Sequence, residues 1–76
     1  MSSLLAKRLV ELRKEAGLCQ MEVAEEVSAA ENSVSGWEHG VCEPSSERLI
    51  KLADLFGVTL DYLYGRSDDP KKGAFD

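Results

Sequence analysis

The segment from residue 20 to residue 40 constrains the fold most, because its apolar residues recur at helical spacing in two short runs. The two runs are Val23, Ala24 and Val27, and then Val34 and Trp37. Small residues at positions 28–30 interrupt the pattern and predict a turn. Helices of one or two turns bury too little surface to be stable alone. We therefore expect two short helices that pack against the helices on either side of them.

Three further helices are predicted around this pair. The first ends at Gly17, the fourth at Gly57 and a short fifth at Gly65. The apolar stripes of the long helices are Leu5, Leu9 and Leu12 in the first, and Leu49, Leu52, Ala53 and Phe56 in the fourth. The predicted N-caps are Ser2 or Ser3 for the first helix, Ser45 for the fourth and Thr59 for the fifth. The sequence thus predicts an all-α fold of five helices around one core.

Composition sets the class of protein. The chain has 76 residues, 43% hydrophobic and 30% charged, which is typical of one small globular domain. We place that domain at residues 1–65 and predict a disordered charged tail at residues 66–76. No apolar run approaches the roughly 18 residues of a membrane span and no signal-peptide pattern is present, so we expect a cytoplasmic protein.

No enzyme chemistry is predicted. The chain has one histidine, no glycine-rich phosphate loop and no paired carboxylates beside a nucleophile. Cys19 and Cys42 lack metal-ligand spacing, so we expect reduced thiols, no metal and no cofactor. Cys19 stands at the predicted start of the second helix, where a thiol can become reactive; a tolerated replacement of a better cap is the alternative.

Two consecutive stretches carry several motifs in register, GLCQMEVAEEVSAAENSVSGWEHG and EPSSERLIKLADLFGVTLDYLYG. In these motifs the chain from about Leu5 to Gly65 resembles the Cro/phage-repressor type of helix-turn-helix protein, also called the XRE family. The resemblance implies a five-helix, lambda-repressor-like DNA-binding domain whose second and third helices form the motif. It also implies a transcriptional regulator that binds a double-stranded DNA operator as a homodimer, with the third helix in the major groove.

The resemblance further implies which residues contact DNA. It places base-reading residues at Glu31, Asn32 and Gly36, and phosphate contacts around Ser33 and His39. Asparagine can bond adenine through two hydrogen bonds, and glutamate can accept from the N4 amino group of cytosine. Helical geometry directs Gly36 outward, where either close approach of a partner backbone or sequence drift explains a glycine.

Two more residues near the start of the second helix have alternative interpretations. Gln20 either donates its amide to a phosphate or is a simple polar residue at a helix start. Arg13 is either a surface residue whose stem lies along the core, or, as the resemblance implies, the partner of Glu38 in an ion pair that orients the third helix.

The fifth helix is short for its apolar content. Leu60, Tyr62, Leu63 and Tyr64 either complete the core or form a dimer seam, with Leu60, Tyr62 and Tyr64 as the seam candidates.

The charge distribution is the observation that supports an alternative to DNA binding. The net charge is −5, and the span from Glu15 to Glu47 holds eight acidic residues and no lysine or arginine. Such a surface is unfavourable for approach to phosphates. DNA binding is the leading hypothesis, and the alternative is an acidic helix-turn-helix domain that binds protein as an antagonist or DNA mimic.

Overall fold

The computed structural model describes residues 4–68 and shows five helices, as the sequence predicted. They are α1 (Leu4–Glu15), α2 (Gln20–Glu26), α3 (Glu31–His39), α4 (Ser46–Phe56) and α5 (Leu60–Tyr64). The predicted caps Ser2 and Ser3 and residues 69–76 of the predicted tail lie outside the described residues. Within residues 4–68, no helix has the length and apolar character needed to cross a membrane.

One apolar core joins all five helices. The buried side chains that form it are Leu5, Leu9, Val23, Ala24, Val27, Val34, Trp37, Leu49, Leu52, Ala53, Val58 and Leu63. The predicted apolar stripes are confirmed, although Leu12 and Phe56 are only half-buried and pack against the edge of this core. Because α2 and α3 are too short to be stable alone, their position depends on this shared core, on their contact with each other and on the contact of α3 with α1.

The helix starts follow the predicted chemistry where an oxygen is available. The Ser45 hydroxyl accepts from the Arg48 N–H at 3.3 Å, and the Thr59 hydroxyl accepts from the Tyr62 N–H at 3.0 Å. At the start of α2 the hydrogen bond comes from the other residue of the pair. The side chain of Glu22, inside the helix, accepts from the backbone N–H of Cys19, the cap residue, at 2.9 Å. This hydrogen bond lowers the pKa of Glu22.

The turn between α2 and α3 contains an unfavourable backbone conformation. Ser28 has φ of +58°, and among residues 4–68 it is the one non-glycine residue with positive φ. Left-handed geometry brings Cβ close to the following carbonyl oxygen and costs about 1–2 kcal/mol. The turn keeps this geometry because the Ala29 N–H bonds the Ala24 carbonyl at 2.8 Å and so closes the end of α2.

Ordered contacts continue past the predicted domain boundary at Gly65. The Asp61 carbonyl accepts from the N–H groups of Arg66, at 2.8 Å, and of Ser67, at 3.3 Å. The side chain of Arg8 reaches the same segment from α1. Residues 66–68, which the sequence placed in the predicted tail, thus make ordered contacts with α1 and α5.

Candidate nucleic-acid interface

Helix α3 separates an inner face from an outer one. Val34 is 2% exposed and Trp37 is 5% exposed, so both anchor the helix in the core as predicted. The outer positions carry the polar residues that the resemblance selected: Glu31, Asn32 and His39 are exposed, and Ser33 is half-buried. A helix that reads DNA bases needs buried residues on one face and exposed polar residues on the other, because its backbone must be fixed while its polar side chains are accessible to the DNA.

An ion pair between Arg13 and Glu38 ties α1 to α3. Arg13 Nε donates to Glu38 Oε2 at 2.6 Å, and Arg13 Nη2 donates to Glu38 Oε1 at 3.2 Å. Arg13 Nη1 donates to the Leu18 carbonyl at 3.0 Å. The side chains are only 16% and 5% exposed, and the hydrogen bond to Glu38 raises the pKa of Arg13. A two-point contact of this kind fixes the rotation of α3 as well as its distance from α1.

Gln20 belongs to the same network. Its Nε2 donates to Glu38 Oε1 at 2.9 Å. One amide hydrogen of Gln20 is thus used inside the protein, and the phosphate contact that was one of its two interpretations would use the second. Because Glu38 fixes the amide plane, any phosphate contact of Gln20 starts from a defined orientation.

Gly36 lies against the loop that follows α3, a contact that the sequence interpretation did not consider. A Cβ built on Gly36 would lie 2.6 Å from Cys42 Sγ, closer than real Cβ atoms come to such an atom. The Gly36 carbonyl also accepts from the Val41 N–H at 2.9 Å, which folds the loop after α3 back onto the helix. Contact within the chain thus adds a third account of this glycine to the two that the sequence offered, partner approach and sequence drift. At this point of α3 the thiol of Cys42 covers the surface.

His39 closes the exposed end of α3. Its Nδ1 lies 2.7 Å from the Ser35 carbonyl oxygen and 3.3 Å from the Ser35 hydroxyl. A carbonyl accepts only, so Nδ1 carries the proton and Nε2 is the ring nitrogen left for a partner. In this tautomer Nε2 can accept a hydrogen bond from a partner.

The arginines of the flanking helices contribute less positive charge than their number suggests. Arg8 pairs with Asp68, Arg13 with Glu38 and Arg48 with Glu47. Lys7, Lys14 and Arg66 are exposed. The acidic residues of α2, Glu22, Glu25 and Glu26, are exposed too and form the solvated face that the sequence indicated. Within residues 4–68, no group of acidic, histidine or cysteine side chains could hold a metal ion.

The seam candidates on α5 divide into two groups. Leu60 is 37% exposed and Tyr64 is 47% exposed, so these two remain available for a partner. Tyr62 is half-buried, with its ring under the guanidinium of Arg8, and Leu63 is completely buried. Tyr62 therefore contributes to the domain itself.

Arg8 is the residue that sequence reasoning missed. It has no role among the sequence predictions, yet it is a buried charged residue, 9% exposed. The available signal was its position: Arg8 follows Leu5 by three residues and directly precedes Leu9, so it lies beside the apolar stripe of α1.

The chain matches known proteins over most of its length. A family model described as helix-turn-helix matches residues 9–63. The HTH-type transcriptional regulator ImmR of Bacillus subtilis is 39% identical over 72 residues, which cover 95% of this chain and 57% of that protein. The chain spans between 51% and 57% of the length of the curated relatives it matches.

Solved structures share the fold. The P22 c2 repressor, in complex with a synthetic operator, has a TM-score of 0.76 and 27% identity, covering 78% of this chain and 89% of that one. The N-terminal DNA binding domain of SinR from Bacillus subtilis has a TM-score of 0.73 and 28% identity, covering 79% and 88%. These proteins are named as transcriptional regulators, repressors or DNA-binding domains, so the comparisons do not favour the alternative of a protein-binding antagonist or DNA mimic.

Proposed function

The chain belongs to the helix-turn-helix family of the Cro/phage-repressor type, and on this basis we propose that it is a sequence-specific DNA-binding transcriptional regulator. In this proposal α3 enters the major groove of a double-stranded operator and two copies of the chain bind two half-sites. The structure of the P22 c2 repressor with its synthetic operator supports the choice of DNA as the partner.

The observation that carries the proposal is the division of α3 into an anchored and an open face. Val34 and Trp37 are buried, and Glu38 holds the helix to α1 through Arg13. The first turn of α3 exposes Glu31 and Asn32. These two side chains have the hydrogen-bonding groups to read cytosine and adenine, and they project from a helix that cannot rotate freely.

Phosphate contacts in this proposal come mainly from neutral groups. Gln20 and Ser33 each have a donor for a phosphate oxygen, whereas the Nδ1–H of His39 is already bonded to the Ser35 carbonyl. Backbone N–H groups add to these, because α3 starts at Ala30 without a side-chain cap. Helix α3 thus supplies orientation and base contacts, while long-range attraction to DNA is weak.

Pairing of two copies is assigned to α5. Leu60 and Tyr64 are exposed apolar residues on one short helix, and burying both between two copies removes their surface from water. The assignment of the homodimer to this face is a proposal that awaits measurement of the oligomeric state.

The test is a binding measurement on selected DNA. Fluorescence anisotropy would compare the parent with Asn32→Ala across operators that differ at one base pair each. We expect the variant to lose about 1–3 kcal/mol of preference at one position and to keep its fold. Glu11→Gln, at an exposed position on α1, is the control and should leave the preference unchanged.

Two outcomes count against the proposal. Equal preference of parent and Asn32→Ala at every position would remove Asn32 from base reading. Absence of binding to all DNA at low salt would overturn the DNA-binding function itself.

A further inference from the structure

The side chain of Arg8 lies buried at the junction of the two ends of the domain. It begins on α1 and reaches Tyr62 on α5 and then Ser67 and Asp68 in the segment after that helix. Its side chain is 10% exposed. A buried guanidinium is costly to desolvate, so it is retained where several acceptors converge on it.

Four groups converge on this guanidinium. Nη1 donates to the carbonyl of Tyr62 and, at 2.8 Å, to the carbonyl of Ser67. Nη2 donates to Asp68 Oδ1 at 2.9 Å. The ring of Tyr62 lies below, with its centroid 4.0 Å from Cζ. Two of the contacts are backbone carbonyls, so Arg8 fixes the main-chain path between Tyr62 and Ser67 as well as the side chains that it contacts.

Helix α5 needs such a contact because it has only five residues. The last carbonyls of a helix lack partners within the helix, and the negative end of its dipole attracts a cation. Asp61 and Tyr62 carbonyls accept from the N–H groups of Arg66 and Gly65, and Arg8 adds a charged donor from outside the helix. One turn and a half of helix is thereby closed at its carboxyl end.

Holding Tyr62 also determines where the rest of α5 faces. Residues two positions away on a helix are rotated by about 200°. Since the ring of Tyr62 is held against Arg8, Leu60 and Tyr64 are directed to the opposite side, where they are 37% and 47% exposed. Gly65, at the end of α5, lies close to the start of α1, because a Cβ there would collide with the side chain of Leu4.

We propose that Arg8 is a positioning residue for pairing: it clamps the end of α5 and so presents Leu60 and Tyr64 to a second copy of the chain. This role rests on the proposed function, in which two copies pair through α5. Arg8 does not contact the partner. It acts through Tyr62 and the backbone of residues 62–67, and its loss changes pairing without touching the exposed face of α3.

The experiment compares three variants of the full chain. Arg8→Met keeps the length of the side chain without charge or donors. Arg8→Lys keeps the charge without the two-point donor, and it carries the test if the methionine variant does not fold. Asp68→Asn removes only the ion pair with a carboxylate that is 99% exposed, and it serves as the control.

Two quantities are measured for each variant. Amide hydrogen exchange reports opening at Gly65, Arg66 and Ser67, with Val34 and Trp37 as core references. Sedimentation equilibrium gives the dimer dissociation constant. For Arg8→Met we expect about tenfold faster exchange at the amides of residues 65–67 relative to the core, and about tenfold weaker dimerisation. Arg8→Lys should lie between this variant and the parent, and Asp68→Asn should stay within about threefold of the parent.

The possible failures are distinct. Unchanged exchange at residues 65–67 in Arg8→Met would overturn the clamp. An equal increase in exchange rate at the core amides and at residues 65–67 would show that Arg8→Met lowers the stability of the whole domain and does not act on the position of α5. Faster exchange with unchanged dimerisation would overturn the link between clamp and pairing. A parent chain that stays monomeric at all concentrations would overturn the proposed homodimer, and with it this role of Arg8, whatever the exchange rates.

Discussion

The thiol of Cys42 occupies the space into which a side chain on Gly36 would grow, with 2.6 Å between its sulfur and the Cβ position. The two residues are six positions apart, and the loop that joins them is fixed by the hydrogen bond from the Val41 N–H to the Gly36 carbonyl. Glycine within a helix is unfavourable by about 0.5–1 kcal/mol relative to alanine. At position 36 the glycine leaves room for the loop after α3, which turns back onto the helix.

This relationship predicts a dependence between two substitutions. In a Cys42→Ala background, Gly36→Ala should raise the free energy of unfolding by about 0.5–1 kcal/mol, because the helix gains a better helix former and no sulfur is in the way. With Cys42 present the gain should vanish or become a loss. Urea unfolding of the four proteins measures the coupling. An identical effect of Gly36→Ala in both backgrounds would show that the thiol moves aside freely.

The ion pair between Arg13 and Glu38 should be important for stability. Either alanine substitution strands a charge that is largely buried, so each should cost about 2–4 kcal/mol, and the double variant should cost less than the sum. Thermal or urea unfolding of the complete cycle is the measurement. Arg48→Ala, which breaks a more exposed pair with Glu47, is the matched control and should cost less than about 1 kcal/mol. Small additive losses at Arg13 and Glu38 would contradict the prediction.

Ser28 offers a route to a more stable domain. Its φ of +58° is accessible to glycine without strain, so Ser28→Gly should stabilise the fold by about 0.5–1 kcal/mol after the extra entropy of the unfolded chain is counted. The control is Ser35→Gly inside α3, where the same change should destabilise by about 0.5 kcal/mol. A loss of stability in Ser28→Gly would mean that the serine side chain contributes more than its backbone geometry costs.

DNA binding should depend weakly on salt. Each phosphate neutralised by a cation adds about 0.9 to the slope of log affinity against log salt, and Arg8, Arg13 and Arg48 are already paired. We expect weak non-specific binding and a slope well below the value of about 10 found for lac repressor. Anisotropy titrations at several salt concentrations measure it. Ser33→Lys should steepen the slope by about one for each protomer bound, and a steep slope in the parent at pH 8 would show that Lys7, Lys14 and Arg66 dominate.

The start of α2 should contribute a pH-dependent stability. The hydrogen bond from the Cys19 N–H lowers the pKa of Glu22 in the folded state. The ionised carboxylate therefore stabilises the fold above its unfolded pKa, and this contribution is lost as pH falls through the lower, folded pKa. The difference in unfolding free energy between parent and Glu22→Gln should be constant near pH 7 and should shrink below about pH 4. Glu25→Gln, on the exposed side of the same helix, supplies the background; a Glu22 difference independent of pH would contradict the assignment.

The parts of the fold that the sequence predicted correctly are those determined by short-range patterns. The apolar stripes and the caps Ser45 and Thr59 depend on residues within a turn or two of each other, so spacing alone identifies them. The contact between Arg13 and Glu38 spans 25 positions, and only the resemblance to a family suggested it. Base reading by Asn32 and Glu31 stays a prediction, since it too came from the resemblance and the exposure of the two side chains is all that the fold adds.

Contacts between distant segments escaped prediction for a physical reason. Arg8 bonds Ser67 and Asp68, which are 59 and 60 positions away, and nothing in the local pattern of α1 shows which acceptors will meet it. The Gly36 and Cys42 contact depends on the backbone path of a loop, which helical periodicity does not describe. The hydrogen bond of Gln20 to Glu38 was not predicted, because Glu38 lies on another helix, 18 positions away.

The separation of α3 into an anchored and an open face makes this chain suitable as a scaffold for engineering. Positions 31, 32 and 33 can be randomised in a library while Val34, Trp37 and Glu38 keep the helix in place. Under the proposed function, new operator preferences can then be selected without simultaneous selection for folding, because a change at positions 31–33 leaves the buried anchors Val34 and Trp37 in place.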